Sequence, residues 1–158
     1  MLQIRTDIFR DSTPHTGRKL WLVAWLAWAL LIIMTATMPL SNFVGHAHWS
    51  KVCWVPFSDL SQPGFLLDAV ANVALYAPLG FLGAMYRFKG TASALRLIGI
   101  AAFISASGEF FQVFCHNRFP SATDVSTNVL GVAGGILAAR VLPVATPYFR
   151  RIQPAKNR

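Results

Sequence analysis

Polar and ionisable side chains recur at helical spacing within apolar stretches of this sequence. Glu109, Gln112 and His116 follow one another at intervals of three and four residues, which places them on one face of a helix. A carboxyl group in an apolar setting can act as a general acid or base, and an imidazole can take up charge near neutral pH. The spacing therefore predicts a helix that presents several reactive groups to one side.

Two other segments show a similar pattern. Asp124 and Asn128 are four residues apart, as are Asp68 and Asn72, so each pair shares a helical face. Arg118 lies shortly before Asp124, and its guanidinium suits a phosphate or a carboxylate. The candidate catalytic residues are Glu109 and Asp124, and the candidate ligand-binding residues are Arg118, Asn72, Gln112, Asn128, Asp68 and His116.

The composition indicates what kind of protein positions these groups. Of 158 residues, 54% are hydrophobic and 13% are charged, against about 25% charged residues in a soluble domain. Four apolar segments approach the roughly 20 residues that a span needs: Leu20–Met38, Leu66–Tyr86, Leu97–Cys115 and Val125–Val144. We predict an all-α integral membrane protein, a bundle of about four transmembrane helices over residues 20–144, with basic tails at 1–19 and 145–158.

The basic residues predict an orientation. The formal net charge is +8, and the cations concentrate before the first segment, between the second and third, and after the fourth. The two other connections hold one cation each, Lys51 and Arg118. Because cytoplasmic loops carry the excess of Lys and Arg, both termini are expected in the cytoplasm, with residues 39–65 and 116–123 outside. Basic residues in short tracts between apolar segments are typical of a membrane protein, and no nucleic-acid partner is expected.

Helix geometry predicts the depth of the polar groups. At 1.5 Å per residue, Glu109 lies about 10 Å inward from His116, and Asn128 lies about 6 Å inward from Asp124. The helices would then form a polar pocket open to the outer leaflet, and ionisable groups at such depth are functional candidates. Structural alternatives are interhelical hydrogen bonds, an N-cap at Asp124 and an ion pair between Glu109 and Arg118.

The long connection predicted to lie outside is rich in aromatic residues, among them Trp49 and Trp54. Such rings favour the membrane–water interface, where we expect this loop to lie. Cys53 and Cys115 also fall on this side. A disulfide between them is permitted in an oxidising compartment, and two free thiols are the alternative.

Four stretches form an ordered series with regular gaps. They are VPF at 55–57, DAVANVALYAPLGF at 68–81, SGEFFQVF at 107–114 and RFPSATDVSTNVLGVAGG at 118–135. The series resembles the VanZ-like family of small multi-span bacterial membrane proteins over residues 54–140. The positions that match the family pattern are Pro56, Phe57, Asn72, Tyr76, Pro78, Gly80, Glu109, Gln112, Arg118, Asp124, Asn128 and Gly131. Tyr76 replaces a common phenylalanine, and Ser121 stands where many relatives have an acid.

The resemblance implies a role at the cell envelope, because the family is named after a protein associated with teicoplanin resistance. We expect recognition or modification of an envelope lipid or lipid-linked precursor head group at the bacterial cytoplasmic membrane. The alternatives are an accessory protein that affects glycopeptide or precursor access, with a membrane-protein partner, and a small transporter. The sequence lacks the nucleophile-elbow, phosphate-loop and zinc-protease motifs. Catalysis is therefore left open, and no cofactor or metal is expected.

Overall fold

The protein is built from four long helices. A computed structural model describes residues 15–58, 60–61, 63–86 and 91–142. The helices are α1 (His15–Thr37), α2 (Phe65–Tyr86), α3 (Thr91–Gln112) and α4 (Ala122–Val141). Single turns of 3-10 helix occur at Leu40–Asn42 and Trp49–Lys51. The all-α prediction is confirmed, and most of the first predicted tail and all of the second lie outside the described residues.

Three of the helical segments are long and apolar enough to cross a membrane. They are Lys19–Asn42, Phe65–Tyr86 and Thr91–Gln112. Helix α4 is not among them, because its first half carries several polar side chains. Thr127 and Asn128 from that half are buried inside the protein, where polar groups at membrane depth find partners.

Helices α3 and α4 both end a few residues earlier than the apolar segments predicted. Helix α3 ends at Gln112, whereas hydropathy alone extends the segment to Cys115.

Helix α4 begins at Ala122, before the predicted apolar segment at Val125, because Ser121 is its N-cap. The Ser121 Oγ accepts a hydrogen bond from the Thr123 N–H at 3.1 Å. The alternative in which Asp124 caps α4 is wrong. Asp124 lies in the first turn instead, where a negative charge favours the helix dipole.

Glycines bring α2 and α4 into backbone contact. A Cβ atom on Gly131 would overlap the carbonyl group of Val73, and one on Gly135 would overlap that of Ala77. These two helices form the most extensive helix pair in the described structure. Only a residue without a side chain permits this approach.

The other helices complete the core. The Trp28 Nε1 of α1 donates a hydrogen bond to the Leu75 carbonyl of α2 at 2.8 Å. The largest fully buried aliphatic side chains come one from each helix, and they are Ile32, Leu79, Leu97 and Val132. All four helices therefore share one core, which fixes the relative positions of their ends.

The connection between α1 and α2 folds over one end of the bundle. We call residues 38–64 the α1–α2 loop, residues 113–121 the α3–α4 turn, and the end that they cover the loop end. Backbone hydrogen bonds join them from Val44 N–H to the Phe114 carbonyl at 2.9 Å and from Cys53 N–H to the Pro120 carbonyl at 2.9 Å. These bonds satisfy backbone groups that water would otherwise bind, so the loop is an ordered cover.

Candidate functional site

Glu109 lies near the C-terminal end of α3, at the loop end. Its Oε2 accepts a hydrogen bond from the backbone N–H of Ser121 at 2.8 Å. This is the hydrogen bond that the described residues provide to the carboxyl group. Asp124 and Arg118 are close enough to act on the carboxyl group electrostatically. The Ser121 N–H therefore holds the side chain in place through one carboxylate oxygen.

Asp124 is joined to α2 by Asn72. The Asn72 Nδ2 donates a hydrogen bond to the Asp124 Oδ1 at 2.8 Å. This bond connects the second turn of α2 with the first turn of α4, above the glycine contact between the same two helices. The structure thus brings together two residues that the sequence placed on separate helices.

Gln112 and Arg118 both bind the end of α1. The Gln112 Nε2 donates a hydrogen bond to the Ala36 carbonyl at 3.2 Å, and the Arg118 Nη2 donates one to the Met38 carbonyl at 3.1 Å. The last carbonyls of a helix lack partners within the helix, so these side chains attach α1 to the α3–α4 region. Glu109 takes its hydrogen bond from a backbone N–H rather than from Arg118.

Asn128 lies deeper in the bundle and is buried. Its Nδ2 donates a hydrogen bond to the Ser105 Oγ at 2.8 Å, linking α4 to α3. The side chain of Tyr76 on α2 also interacts with Ser105. Three helices therefore meet at one hydroxyl group, which is the pattern of interhelical hydrogen bonding.

Two predicted ligand residues are exposed and have no side-chain bond to this cluster within the described part of the chain. Asp68 lies in the first turn of α2. His116 lies on the α3–α4 turn, with its ring centroid 5.7 Å from that of His48, which is 4.6 Å from that of His46. The predicted helical face does not extend to His116 because α3 ends at Gln112.

A cavity of about 250 Å³ opens beside Glu109. It lies between the α1–α2 loop and the adjacent parts of α3 and α4. Its lining consists of Trp49, Val52, Cys53, Trp54, Ala106, Glu109, Phe110, Val113, Pro120, Ser121, Ala122 and Val125. Glu109 is the only charged residue in this lining, and most of the wall is apolar. Asn72, Asp124 and Asn128 lie outside the lining, so the cavity wall is less polar than the predicted pocket.

The aromatic wall of the cavity was missed by sequence reasoning. The indole rings of Trp49 and Trp54 stack with centroids 6.1 Å apart and an angle of 14° between their planes. The Trp49 ring also lies 6.2 Å from that of Phe110 on α3. The aromatic richness of the loop was the available signal, but an aperiodic loop does not reveal which residues face a helix.

The backbone conformation of Phe57 accounts for the Pro56–Phe57 motif of the sequence. Its φ angle is 62°, a left-handed conformation that costs a non-glycine residue about 1–2 kcal/mol. Its backbone N–H donates a hydrogen bond to the Thr123 Oγ1 at 2.9 Å. The Pro56–Phe57 pair therefore shapes a tight bend that attaches the α1–α2 loop to the start of α4.

The two cysteines are free thiols. The Cys53 Sγ lies 3.1 Å from the Ser58 Oγ, and the Cys115 Sγ donates towards the Phe111 carbonyl at 3.7 Å. Of the two alternatives, the structure therefore has free thiols. Within the described residues, no group of three or more His, Cys, Asp or Glu side chains is arranged to hold a metal ion.

Comparison with known proteins places these features in a family. A sequence model of the VanZ/LLP1 family matches residues 21–143, from the first half of α1 to just beyond the end of α4. The match extends beyond the motif region at 54–140 and includes α1, whose last carbonyls bind Gln112 and Arg118. No curated protein and no solved structure matches the chain. With well over half of its length matched, this helical membrane protein belongs to the VanZ/LLP1 family.

Proposed function

We propose that this protein binds an envelope lipid, or a lipid-linked precursor, by accepting its head group into the cavity beside Glu109. One observation carries the proposal: Glu109 is the only charged residue in the lining of an otherwise apolar cavity at one end of a membrane bundle. Ligand sites commonly combine apolar walls with a few polar groups that fix orientation. A lipid combines apolar chains with a polar head group in one molecule.

The exposure of the cavity rim supports entry from the bilayer. Trp54 and Phe110 line the cavity and are 67% and 58% exposed. In the predicted orientation the loop end faces outward, and these rings lie where tryptophan favours the membrane–water interface. A lipid from the outer leaflet of a bacterial cytoplasmic membrane would then reach Glu109 without crossing the bilayer.

The same carboxyl group would also serve in a modification reaction. A general base must come within about 3 Å of the proton it removes, and Glu109 is the only residue with a carboxyl group in the cavity lining. The other carboxylate of the cluster, Asp124, is bonded to Asn72 and lies outside the lining. If the bound lipid is modified, Glu109 is therefore the residue placed to transfer the proton.

Mass spectrometry of lipids extracted from the purified protein tests this proposal. We expect the wild type to retain a lipid that Glu109→Gln loses by about tenfold or more, because the variant lacks the charge-assisted contact. Asp68→Asn is the matched control, since it removes an exposed carboxylate outside the cavity. Equal retention by wild type and Glu109→Gln would contradict the proposal, whereas a new lipid species made only by the wild type would add catalysis to binding.

A further inference from the structure

We infer that the head group accepted by this cavity carries an organic ammonium group, because a carboxyl group and three aromatic side chains line the same space. The inference rests on the proposed function and names the chemical class of its ligand. The aromatic residues are Trp49, Trp54 and Phe110, and the carboxyl group is that of Glu109. The ligand is thus a lipid with an amine or a quaternary ammonium in its head group.

The charge of the lining selects a cation. Glu109 is the only charged lining residue, and no lining side chain is a lysine, arginine or histidine. An anionic head group would meet no positive side chain there and would face a carboxyl group. An ammonium group stabilises an ionised carboxylate, and a primary ammonium can donate a strong charge-assisted hydrogen bond to a carboxylate oxygen.

The aromatic side chains add a second attraction for a cation. Tryptophan gives the strongest cation–π interaction, within about 6 Å of the ring centroid. Trp49 and Trp54 lie side by side, and Phe110 lies beside Trp49. Proteins use groups of aromatic rings in this way to bind quaternary ammonium ligands.

The α1–α2 loop that supplies Trp49 and Trp54 also carries one cation, Lys51. Lys51 immediately precedes Val52, which lines the cavity. The Lys51 Nζ donates a hydrogen bond to the His116 carbonyl at 2.7 Å and lies 5.5 Å from the centre of the Phe119 ring. Both of these partners lie outside the cavity lining, so the selection of the amine depends on Glu109 and the aromatic side chains.

Binding of short-chain phospholipids in detergent tests the inference. The probes are dihexanoyl lipids with ethanolamine, choline or glycerol head groups, and the signal is the fluorescence of the protein's own tryptophans. We expect the ethanolamine lipid to bind the wild type about tenfold more tightly than the anionic glycerol lipid. Glu109→Gln should remove this preference and Trp54→Leu should reduce it, while Trp54→Phe keeps part of it and Asp68→Asn keeps it in full.

The possible results separate the inference from the proposed function. If the glycerol lipid binds as tightly as the ethanolamine lipid, and both are weakened by Glu109→Gln, the ammonium inference is wrong and the cavity is still a lipid site. If neither Glu109→Gln nor Trp54→Leu changes the binding of any of the three lipids, both statements are wrong. A preference for both ethanolamine and choline over glycerol supports the ammonium class.

Discussion

The Oε2 atom of Glu109 accepts a hydrogen bond from the backbone N–H of Ser121, twelve residues later in the chain, at 2.8 Å. Ser121 is also the N-cap of α4 through its side chain. The carboxyl group therefore fixes the start of α4 against α3, and Glu109 also lines the cavity. Different substitutions of Glu109 should therefore remove its structural hydrogen bond and its role in the cavity separately.

Glu109→Gln and Glu109→Ala should separate stability from ligand binding. The amide oxygen of glutamine can still accept from the Ser121 N–H, so Glu109→Gln should unfold at nearly the wild-type temperature. Alanine leaves this half-buried N–H without its partner, which costs about 1–3 kcal/mol. Thermal unfolding in detergent checks the difference, and equal melting temperatures for the two variants would show that the bond does not stabilise the fold.

Two neighbouring glycines of α4 should respond in opposite ways to alanine. A Cβ on Gly135 would overlap the Ala77 carbonyl, so Gly135→Ala should destabilise the protein by about 1–3 kcal/mol, the cost of overpacking. Gly134 has no atom within 4 Å of its Cβ position. Gly134→Ala should therefore be neutral or stabilise by up to about 1 kcal/mol through helix propensity. Unfolding of both variants under the same conditions tests the close approach of α2 and α4.

The bond between Asn72 and Asp124 should appear as an energetic coupling. The two side chains connect α2 with the first turn of α4 at 2.8 Å. Residues that share a bond of this kind show coupling energies of about 0.5–3 kcal/mol. A double-mutant cycle with Asn72→Ala and Asp124→Ala measures this energy from unfolding. Additive effects of the two changes would mean that the bond contributes nothing to stability.

The attachment of the α1–α2 loop should weaken in acid. His48 has a buried Nε2 with no partner among the described residues. Burial, followed by the charges of Lys51, His46 and His116, lowers the pKa of His48 below its usual 6.5. The unfolded chain then takes up a proton at a higher pH than the folded protein. The contribution of His48 is thus complete above about pH 6.5 and is lost as the pH falls through its lowered pKa.

His48→Gln provides the test of this pH dependence. The melting temperature of the wild type should fall more between about pH 7.5 and pH 5 than that of His48→Gln, which has no imidazole to protonate at this position. His46→Gln is the comparison, because it removes one neighbouring charge and leaves the half-buried imidazole of His48 in place, so it should change the pH dependence less than His48→Gln does. Parallel curves for the wild type and His48→Gln would contradict the expectation.

Cysteine labelling tests the predicted orientation. Asn117 is exposed on the α3–α4 turn, and Ala92 is exposed in the first turn of α3 at the opposite end. In a chain with Cys53 and Cys115 replaced by serine, Asn117→Cys should react with an impermeant maleimide added to intact cells. Ala92→Cys should react only after permeabilisation. The reverse result would place the cavity on the cytoplasmic side.

Periodicity predicted the helices and part of the hydrogen-bonded cluster. Asp124 and Asn72 each have a polar residue four positions away, a spacing that indicates a shared helical face. Helices α2 and α4 bring the two side chains into hydrogen-bond contact. Periodicity placed Gln112 on the helical face of Glu109, but it did not indicate that Gln112 and Arg118 bind the carbonyls of Ala36 and Met38. Those partners are backbone groups of α1, and nothing in their side chains marks them in the sequence.

The residues that line the cavity could not be predicted from sequence patterns, for a related reason. Trp49 and Trp54 belong to a loop whose course depends on backbone hydrogen bonds to the α3–α4 turn. The partner of Glu109 is likewise the N–H of Ser121, a backbone group that any residue but proline would supply. Patterns of side-chain type do not encode such contacts, so the location of the cavity follows only from the fold.

Photo-crosslinking with a lipid that carries a diazirine in its ethanolamine head group tests the central claim most directly. The account predicts that labelled peptides of the wild type contain Trp49–Trp54 and Phe110–Val113, which line the cavity. It also predicts that Glu109→Gln loses this labelling while Asp68→Asn keeps it. Labelling spread over the lipid-facing side chains of α1, equal in the wild type and Glu109→Gln, would contradict the account.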